Sequence, residues 1–262
     1  MKSPWAWYPY MNKGLAAYMA EELVETDQVL WLDSDVLVVS EPTQLILGEH
    51  EDFACCSVDK NVGTSGPNDP NEPYWTALSD YFGVSIDRLP WVRTEFDKLL
   101  VRMRLHSGVY SFRRATGLGR AFARDIESML GSRIAFSQSL PYPGDDVALA
   151  FSVVRRNLRW RPLPMSYNFE MTPTSRIYSR EEAQNARILH FHSTLGSPSG
   201  ATWFLNELEH FRPDVAEWLR PRVPLRTKTG GLRKAFLRRY LGHKRKLAQA
   251  RHQHSCRVMV SV

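Results

Sequence analysis

The sequence predicts an α/β fold in which a mixed sheet is flanked by helices. Strand-like and helix-like segments alternate along the chain, and short apolar runs around residues 29–39 and 52–59 have the character of buried strands. The 262 residues are 43% apolar and 24% charged, which is enough for a sizeable core. This composition excludes a disordered, collagen-like or repeat protein.

The first half of the chain predicts a helix followed by two strands. Leu15, Met19 and Leu23 recur every four residues, so we expect a helix from about Asn12 to Thr26. The run VLWLDSDVLVV predicts a buried strand of a parallel or mixed sheet that ends at a polar edge, and DFACCSVD predicts a second buried strand. Residues 60–75 are dense in Gly, Pro, Asn and Asp, which predicts a long surface loop and a candidate lid.

The second half continues the alternation. We expect a helical piece near YWTALSDYF, a strand pair around LHSGVYSFRR and a helix over about 116–129. A further helix begins at Gly144 and Asp145, since an acidic residue behind a glycine suits a helix start. ARILHFHS predicts a late strand that ends in histidines, and TWFLNELEHF predicts an amphipathic helix behind it.

Charge is distributed unevenly along the chain. The formal net charge is +6, but the segment from Arg222 to Arg257 holds 12 cations and no acid, whereas residues 1–220 hold 22 cations and 28 acids. We therefore divide the chain into a core over 1–220 and a basic amphipathic tail over 221–262.

The sequence also bears on location. Three cysteines, two of them adjacent, favour a reducing compartment over a disulfide framework or a zinc ribbon. The first residues lack the apolar stretch of a signal peptide, and no window is long and apolar enough to span a membrane. We expect a cytoplasmic protein that is neither exported by a signal peptide nor membrane-spanning.

The sharpest chemical feature is Asp33-Ser34-Asp35. In an extended segment, residues two apart point to the same side, so both carboxylates would face one divalent cation. The alternative is a solvated strand end with two turn-forming residues. The apolar strand in front favours the metal, because carboxylates at the end of a buried strand are costly unless they are paired or bound.

Two later motifs add candidates. Asp145 and Asp146 lie at a helix start, where one acid is an ordinary cap but two exceed what capping needs. His190 and His192 alternate in HFH, so they share one face of a strand, and one of them is a candidate third metal ligand. Spacing does not decide which histidine binds, and a structural role is the alternative for both.

Weaker signals come from the turn and from the first helix. Ser107-Gly108 lies between extended flanks, where a glycine marks either a close approach to a ligand or a bulge. Asn12 and Lys13 at the helix start would face a phosphate through the amides and the ammonium group, and the alternative is a solvated helix start.

Taken in order, NKGLAAYMAEEL, VLWLDSDVLVVSEP, RLHSGVYSFRR, GDDVALA and ILHFHS resemble glycosyltransferases of the GT-A fold, most nearly the retaining family-eight type. The resemblance covers about residues 9–205. It implies transfer of a sugar from a nucleotide-diphospho-sugar donor to a glycan or lipid-linked acceptor, with Mn²⁺ or Mg²⁺ as cofactor.

The resemblance also implies roles for individual residues. Asp33, Asp35 and, because an aromatic residue follows it, His190 would bind the metal, and Lys13 would help to bind the donor. The family's Asn-Ser-Gly turn, which touches the donor sugar, corresponds to His106, Ser107 and Gly108. Asp145 and Asp146 match the first two positions of the group beside the reacting carbon.

The chain departs from the family pattern in two ways. His106, Asp146 and Val147 replace an asparagine, a glutamine and an aspartate, and an acid at position 146 makes an inverting mechanism with a general base conceivable. In addition, only a handful of residues precede the first helix, whereas GT-A enzymes begin with a βαβ unit that holds the nucleotide base. We expect a chain that is N-terminally incomplete or that has lost donor binding.

Two alternative functions remain at this point. A non-catalytic GT-A remnant is one, and a haloacid-dehalogenase-type phosphatase, in which an aspartate of the DxD is a nucleophile, is another.

The basic tail places Leu232, Phe236 and Tyr240 on one stripe with Leu237 and Leu241 near it, which favours binding to an anionic membrane surface at the inner face of the membrane. A solvated tail is the alternative there, and nucleic-acid binding is the less favoured one.

Overall fold

The computed structural model describes residues 4–140, 144–225 and 232–260. It confirms the predicted α/β class, with helices packed around mixed sheets. The helices are α1 (Met11–Leu23), α2 (Glu72–Phe82), α3 (Leu118–Ser132), α4 (Asp145–Arg155), α5 (Arg180–Gln184), α6 (Pro198–Glu209), α7 (Pro213–Leu219) and α8 (Leu232–Ser255). The strands are β1 (Gln28–Leu32), β2 (Val36–Val38), β3 (Phe53–Cys56), β4 (Trp91–Arg93), β5 (Leu100–Arg102), β6 (Val109–Arg113), β7 (Ile134–Ala135), β8 (Trp160–Leu163), β9 (Phe169–Glu170), β10 (Ile188–His190) and β11 (Arg257–Val258).

The main sheet has the strand order β1-β6-β3-β8 and is mixed. β6 runs antiparallel to both β1 and β3, while β3 runs parallel to β8. The two central strands are buried along nearly their whole length because helices cover one face and the cluster around Leu45, Val109 and Ile188 covers the other. The prediction of a buried strand at DFACC is therefore confirmed. Cys55 and Cys56 are free thiols in it, and burial raises the pKa of Cys55 to about 12.

The prediction of a buried strand at VLWL is wrong. β1 is an edge strand, and Leu30 and Leu32 are 47% and 40% exposed. An apolar run by itself does not distinguish a central strand from an edge strand that is covered on one side only. The run also divides, since β2 leaves the main sheet and joins a second sheet of order β2-β10-β9.

Backbone hydrogen bonds fix the point at which the chain passes between the two sheets. The Asp33 N–H donates to the carbonyl of Gly108 at 2.8 Å, next to β6 of the main sheet. The Phe191 N–H donates to the carbonyl of Asp35 at 2.9 Å, at the end of β10 in the second sheet. The three segments that carry the candidate residues are thus joined by the backbone itself.

The helices lie close to their predicted positions. α1 ends at Leu23, three residues earlier than expected, and α3 begins at Leu118. Gly144 is the N-cap of α4, as predicted, and α6 covers the predicted amphipathic segment. α1 packs tightly on α3: a Cβ atom added at Gly14 would lie 2.8 Å from the Ala123 Cα atom.

The loop before α2 is tied down by its own polar groups. Thr64 Oγ1 donates to Glu72 Oε2 at 2.6 Å, Asn71 Nδ2 donates to the Gly63 carbonyl at 2.7 Å, and Lys60 Nζ lies 2.6 Å from Asp69. Although burial opposes it, the Lys60 and Ser65 bonds hold the pKa of Asp69 at about 2. The predicted surface loop is present, and its role as a lid stays a prediction.

The basic tail forms a helix that returns to the core. α8 spans 24 residues, and β11 behind it pairs with β7. The His252 ring lies 5.4 Å from the Trp5 ring and 5.2 Å from the Trp7 ring. Residues 226–231 and the side chain of Leu232 lie outside the described part. Among the described helices, none combines the length and apolar character that a membrane span requires.

The tight α1–α3 contact predicts opposite effects for two glycine substitutions. Gly14→Ala forces a methyl group against the Ala123 backbone and should lower the free energy of unfolding by about 1–3 kcal/mol. Gly131→Ala, near the end of α3 with nothing within 4 Å of the added Cβ, should raise it by roughly 0.5–1 kcal/mol. Equilibrium unfolding in urea measures both, and equal effects would contradict the packing.

Candidate active site

A cleft of about 900 Å³ lies where β1 and β10 end and where α1 and α4 begin. Its lining includes all but one of the residues that the sequence singles out: Asn12, Lys13, Asp33, Asp35, His106, Ser107, Asp145, Asp146, His190 and His192. Gly108 packs directly beneath, against the His190 ring. Side chains from distant parts of the chain therefore converge on one cavity.

Lys13 forms the centre of one side of this cleft. Its Nζ atom lies 2.8 Å from Asp33 Oδ2, 3.0 Å from Asp145 Oδ2 and 3.2 Å from Ser107 Oγ. Burial by itself lowers the pKa of a lysine, but the carboxylates of Asp145 and Asp33 outweigh it and raise the pKa of Lys13. The ammonium group is therefore charged, and it links α1 to the end of β1 and the start of α4.

Asp33 is turned toward Lys13, and each of its carboxylate oxygens accepts a hydrogen bond. Its Oδ2 atom accepts from Lys13 and its Oδ1 atom accepts from Trp31 Nε1 at 2.9 Å. Burial raises the pKa of Asp33, although Lys13 opposes the shift. The strand alternation that led us to expect Asp33 and Asp35 on one side is absent, because β1 ends at Leu32 and residues 34 and 35 form a turn. That both aspartates bind one cation stays a prediction.

Asp35 instead belongs to a group with the two histidines. One ligand atom from each of Asp35, His190 and His192 lies within 4.8 Å of the others. His190 Nε2 is 3.3 Å from Asp35 Oδ1, and His192 Nδ1 is 3.8 Å from Asp35 Oδ2. Burial and the neighbouring His192 lower the pKa of His190 to about 4, so its ring is neutral at pH 7. A carboxylate and two imidazoles form a donor set that suits a divalent transition metal.

The two histidine rings lie side by side, although the two residues do not share an extended strand as predicted. β10 ends at His190, and His192 has a positive φ of 47° rather than an extended backbone. The rings nevertheless stack with their centroids 4.0 Å apart. Glu170 Oε1 lies 4.0 Å from His192 Nε2, so a second acidic residue, which the sequence gave no reason to select, borders the group.

The turn at Ser107 and Gly108 connects the two sides. Ser107 Oγ donates to Asp145 Oδ2 at 2.5 Å. A Cβ atom added at Gly108 would lie 3.0 Å from His190 Cε1 and 3.1 Å from Asn168 Oδ1. Glycine is needed here for the close approach of these two protein side chains.

Asp146 projects into the same cleft beside a residue that sequence analysis missed. Arg104 Nη2 lies 3.2 Å from Asp146 Oδ2, and Arg104 is 5% exposed. Burial raises the pKa of Asp146, and the guanidinium group of Arg104 opposes that rise. Position 104 falls inside an alternating strand-like segment, which gave no sign that its side chain would reach the site.

The start of α1 offers fewer free backbone N–H groups than predicted. The N–H groups of Met11 and Lys13 already donate to the carbonyls of Tyr8 and Tyr10. Those two amides are therefore not available to a phosphate, and the ammonium group of Lys13 is the cation that this helix offers. Asn12 lines the cleft.

The cleft thus brings a paired lysine and a carboxylate–imidazole group together beside a mixed sheet. Residues 2–157 match the family described as Rhodobacterales glycosyltransferase domain. The match covers more than half of the sequence, and the chain belongs to this glycosyltransferase family. The resemblance to glycosyltransferases is thereby confirmed, while the family-eight type stays a prediction.

Two solved structures are similar to this chain at low identity. The apo structure of the bifunctional glycosyltransferase WbbM has 11% identity and a TM-score of 0.39, with 79% of this chain and 37% of that chain covered. The apo form of mouse xyloside xylosyltransferase 1 has 11% identity and a TM-score of 0.37, with 69% and 63% covered. Both TM-scores are below 0.5, so we infer nothing about this chain from either structure. None of the curated protein sequences matches the chain.

The neutral histidines of the cleft predict how stability depends on pH. The pKa values of His190 and His106 lie below their ordinary 6.5, mainly because of burial, so the unfolded chain binds more protons between pH 6.5 and about 4. The free energy of unfolding should fall as the pH is lowered through this range, by up to about 1.4 kcal/mol per pH unit for each histidine. Urea unfolding at pH 7 and pH 5 measures it.

His190→Gln should flatten this dependence, because a neutral amide binds no proton in either state. His243→Gln on the exposed surface of α8 is the matched control and should leave the dependence unchanged. Identical pH profiles for wild type and His190→Gln would contradict the assignment.

Proposed function

We propose that this chain transfers a sugar from a nucleotide-diphospho-sugar donor to a glycan or lipid-linked acceptor, with a divalent cation as cofactor. The observation that carries the proposal is the arrangement of one cleft in a glycosyltransferase-family chain: Asp35, His190 and His192 form one group, and the ammonium of Lys13 lies on the same lining. A divalent cation and an ammonium group would together offset the negative charge of a diphosphate.

The donor atoms of this cleft fit Mn²⁺ better than Mg²⁺. Asp35 and His190 would hold the ion, and His192 is the candidate third ligand. Mg²⁺ favours oxygen ligands and retains its water, whereas imidazole nitrogen suits transition metals. When bound, the cation would offset the negative charge that develops on the diphosphate leaving group.

Lys13 would supply a second positive charge to the diphosphate. It is the only one of the cleft residues to contact Asp33, Asp145 and Ser107 together within the described chain. Because two carboxylates hold its ammonium group from two elements, the charge is in place before the donor arrives. Asp33 is then a positioning residue for Lys13 rather than a metal ligand.

Asp146 is the candidate general base. Its raised pKa brings the carboxyl group closer to neutral pH, which favours proton transfer there, and Asp145 is already bonded to Lys13 and Ser107. A base at this position corresponds to an inverting transfer, whereas the resemblance implies a retaining one. The anomeric configuration of the product distinguishes the two.

The alternatives differ in what supports them. Membership in a glycosyltransferase family gives no support to a phosphatase, and the contacts of Asp33 with Lys13 and Trp31 favour a positioning role over that of a nucleophile. A non-catalytic remnant would keep the cleft but lack metal and donor affinity, so binding measurements separate it from an enzyme.

Asp35→Asn tests the metal site. Wild type should bind Mn²⁺ in calorimetric titration and then bind one member of a panel of nucleotide sugars. Asp35→Asn should weaken Mn²⁺ binding by at least 10-fold and abolish metal-dependent turnover, because it removes the anionic ligand. Asp80→Asn on the exposed surface of α2 should behave as wild type. Full metal-dependent activity in Asp35→Asn would disprove the assignment, and absence of Mn²⁺ binding in wild type would favour the remnant.

We also propose that α8 holds the enzyme on an anionic membrane surface at the cytoplasmic side. Phe236, Leu237, Tyr240 and Leu241 are 46–73% exposed and neighbour one another on the helix. Arg238, Arg239, Arg245 and Lys246 lie on the remaining face of the same helix. Exposed apolar side chains beside a row of cations are typical of a helix that lies in a lipid–water interface.

Flotation with liposomes tests the membrane proposal. Wild type should float with vesicles that contain phosphatidylglycerol and should remain behind with pure phosphatidylcholine. Changing Phe236 and Leu237 together to Ser should remove most of the floating fraction, whereas Tyr81→Ser, at another exposed aromatic residue on α2, should not. Lack of flotation in wild type would leave the tail as a solvated helix.

A further inference from the structure

The side-chain amide of Asn168 lies between two histidines of the cleft. Its Nδ2 atom is 2.5 Å from His106 Nδ1, and its Oδ1 atom is 3.0 Å from His190 Nδ1. Asn168 is 2% exposed and immediately precedes β9. One buried amide therefore contacts both rings, and its orientation determines which ring nitrogen carries a proton.

The backbone fixes the orientation of this amide. The N–H of Gly108 donates to His106 Nδ1 at 3.2 Å, so that nitrogen is an acceptor and carries no proton. The amide group that faces it must then be the NH₂ group of Asn168, because a carbonyl oxygen would place two acceptors in contact. The Asn168 oxygen consequently faces His190.

The same logic fixes the tautomer of His190. The Asn168 oxygen accepts only, so His190 Nδ1 carries the proton and donates it to the amide. His190 is 3% exposed, and a neutral imidazole ring carries one proton only. His190 Nε2 is therefore an unprotonated lone pair.

This lone pair points at the carboxylate of Asp35, at 3.3 Å from Oδ1. With no proton between them, the two electron-rich atoms repel each other unless a positive charge lies between or beside them. In metalloproteins, a ligating histidine commonly donates its other N–H to a polar partner, which fixes the ring and its lone pair.

We infer that Asn168, oriented by His106 and the Gly108 N–H, is a positioning residue that keeps the His190 Nε2 lone pair directed toward the position of a divalent cation. This inference rests on the proposed metal-dependent function. It also gives a role to His106, which stands where the resembling family has an asparagine. His106 acts on His190 through two hydrogen bonds, one between His106 and Asn168 and one between Asn168 and His190. The inference also resolves what spacing left open, because it selects His190 as the histidine prepared for the ion.

A purely packing role for Asn168 makes different predictions. In that case, any side chain of similar volume would serve, and the ring protons of the two histidines would distribute without regard to position 168. Gly108 is consistent with either role, since a Cβ atom there would approach the His190 ring and the Asn168 oxygen to about 3 Å.

The test begins with the metal-free protein, so it does not depend on activity. Nitrogen-15 NMR of labelled histidine reports which ring nitrogen is protonated. Wild type should show His190 protonated at Nδ1 and His106 protonated at Nε2. Asn168→Leu, of similar volume without polar atoms, should convert His190 to a mixture of tautomers. A His190 ring that stays protonated at Nδ1 in Asn168→Leu would overturn the inference.

Metal affinity provides the second measurement. In calorimetry, Asn168→Leu should weaken Mn²⁺ binding by about 10- to 100-fold, the usual loss when such a partner is removed. Asn168→Asp retains an acceptor for His190, and its second oxygen can accept from His106 once the His106 proton moves to Nδ1. This variant should therefore keep the Nδ1 tautomer of His190 and most of the affinity. Asn185→Leu, at an exposed position outside the cleft, is the control for folding. Equal affinity losses in both Asn168 variants would also overturn the inference.

The two proposals fail separately. If wild type binds no Mn²⁺, metal-dependent transfer is disproved, whereas the tautomers in the metal-free chain still report the effect of Asn168. If wild type binds Mn²⁺ but Asn168→Leu leaves both tautomers and affinity unchanged, only the positioning role is disproved.

Discussion

The arrangement of the cleft depends on the partly buried ion pairs of Lys13. Its ammonium group lies within 3.0 Å of carboxylates from the end of β1 and from the start of α4. The pairing thus joins a helix, a strand end and a second helix at one point. Trp31 donates to Asp33 and Ser107 donates to Asp145, so each carboxylate has a hydrogen bond in addition to its ion pair with Lys13.

The second constraint is the passage of the chain between two sheets at residues 33–35. The backbone of Asp33 is bonded to the Gly108 carbonyl beside the main sheet, and the backbone of Asp35 is bonded to the N–H of Phe191 beside the second sheet. The two aspartates consequently point to different partners, one to an ammonium group and the other to two imidazoles. This division produces two functions in one cleft: a fixed cation at Lys13 and a donor set at Asp35 that suits a metal.

Histidine protonation links the fold to this chemistry. Burial keeps the pKa values of His106 and His190 below their ordinary range, so both rings are neutral where a ligand nitrogen must be unprotonated. The hydrogen bonds around Asn168 then determine which nitrogen is exposed to Asp35. Because these imidazoles are buried in the neutral form, the free energy of unfolding falls as the pH is lowered. The same burial allows a ring-nitrogen lone pair to be held in one direction.

The sequence by itself determined the fold class, the helices that begin at residues 11 and 145, the buried strand at Phe53–Cys56 and a set of candidate site residues, nearly all of which line one cleft. These follow from local periodicity, helix-start chemistry and ordered motifs, which the linear chain contains. Only the tertiary structure decided that β1 is an edge strand, that Asp33 pairs with Lys13 rather than with Asp35, and that Arg104 and Asn168 reach the site. The reason is physical: these facts depend on contacts between residues far apart in sequence, and neither periodicity nor spacing records which buried polar groups meet.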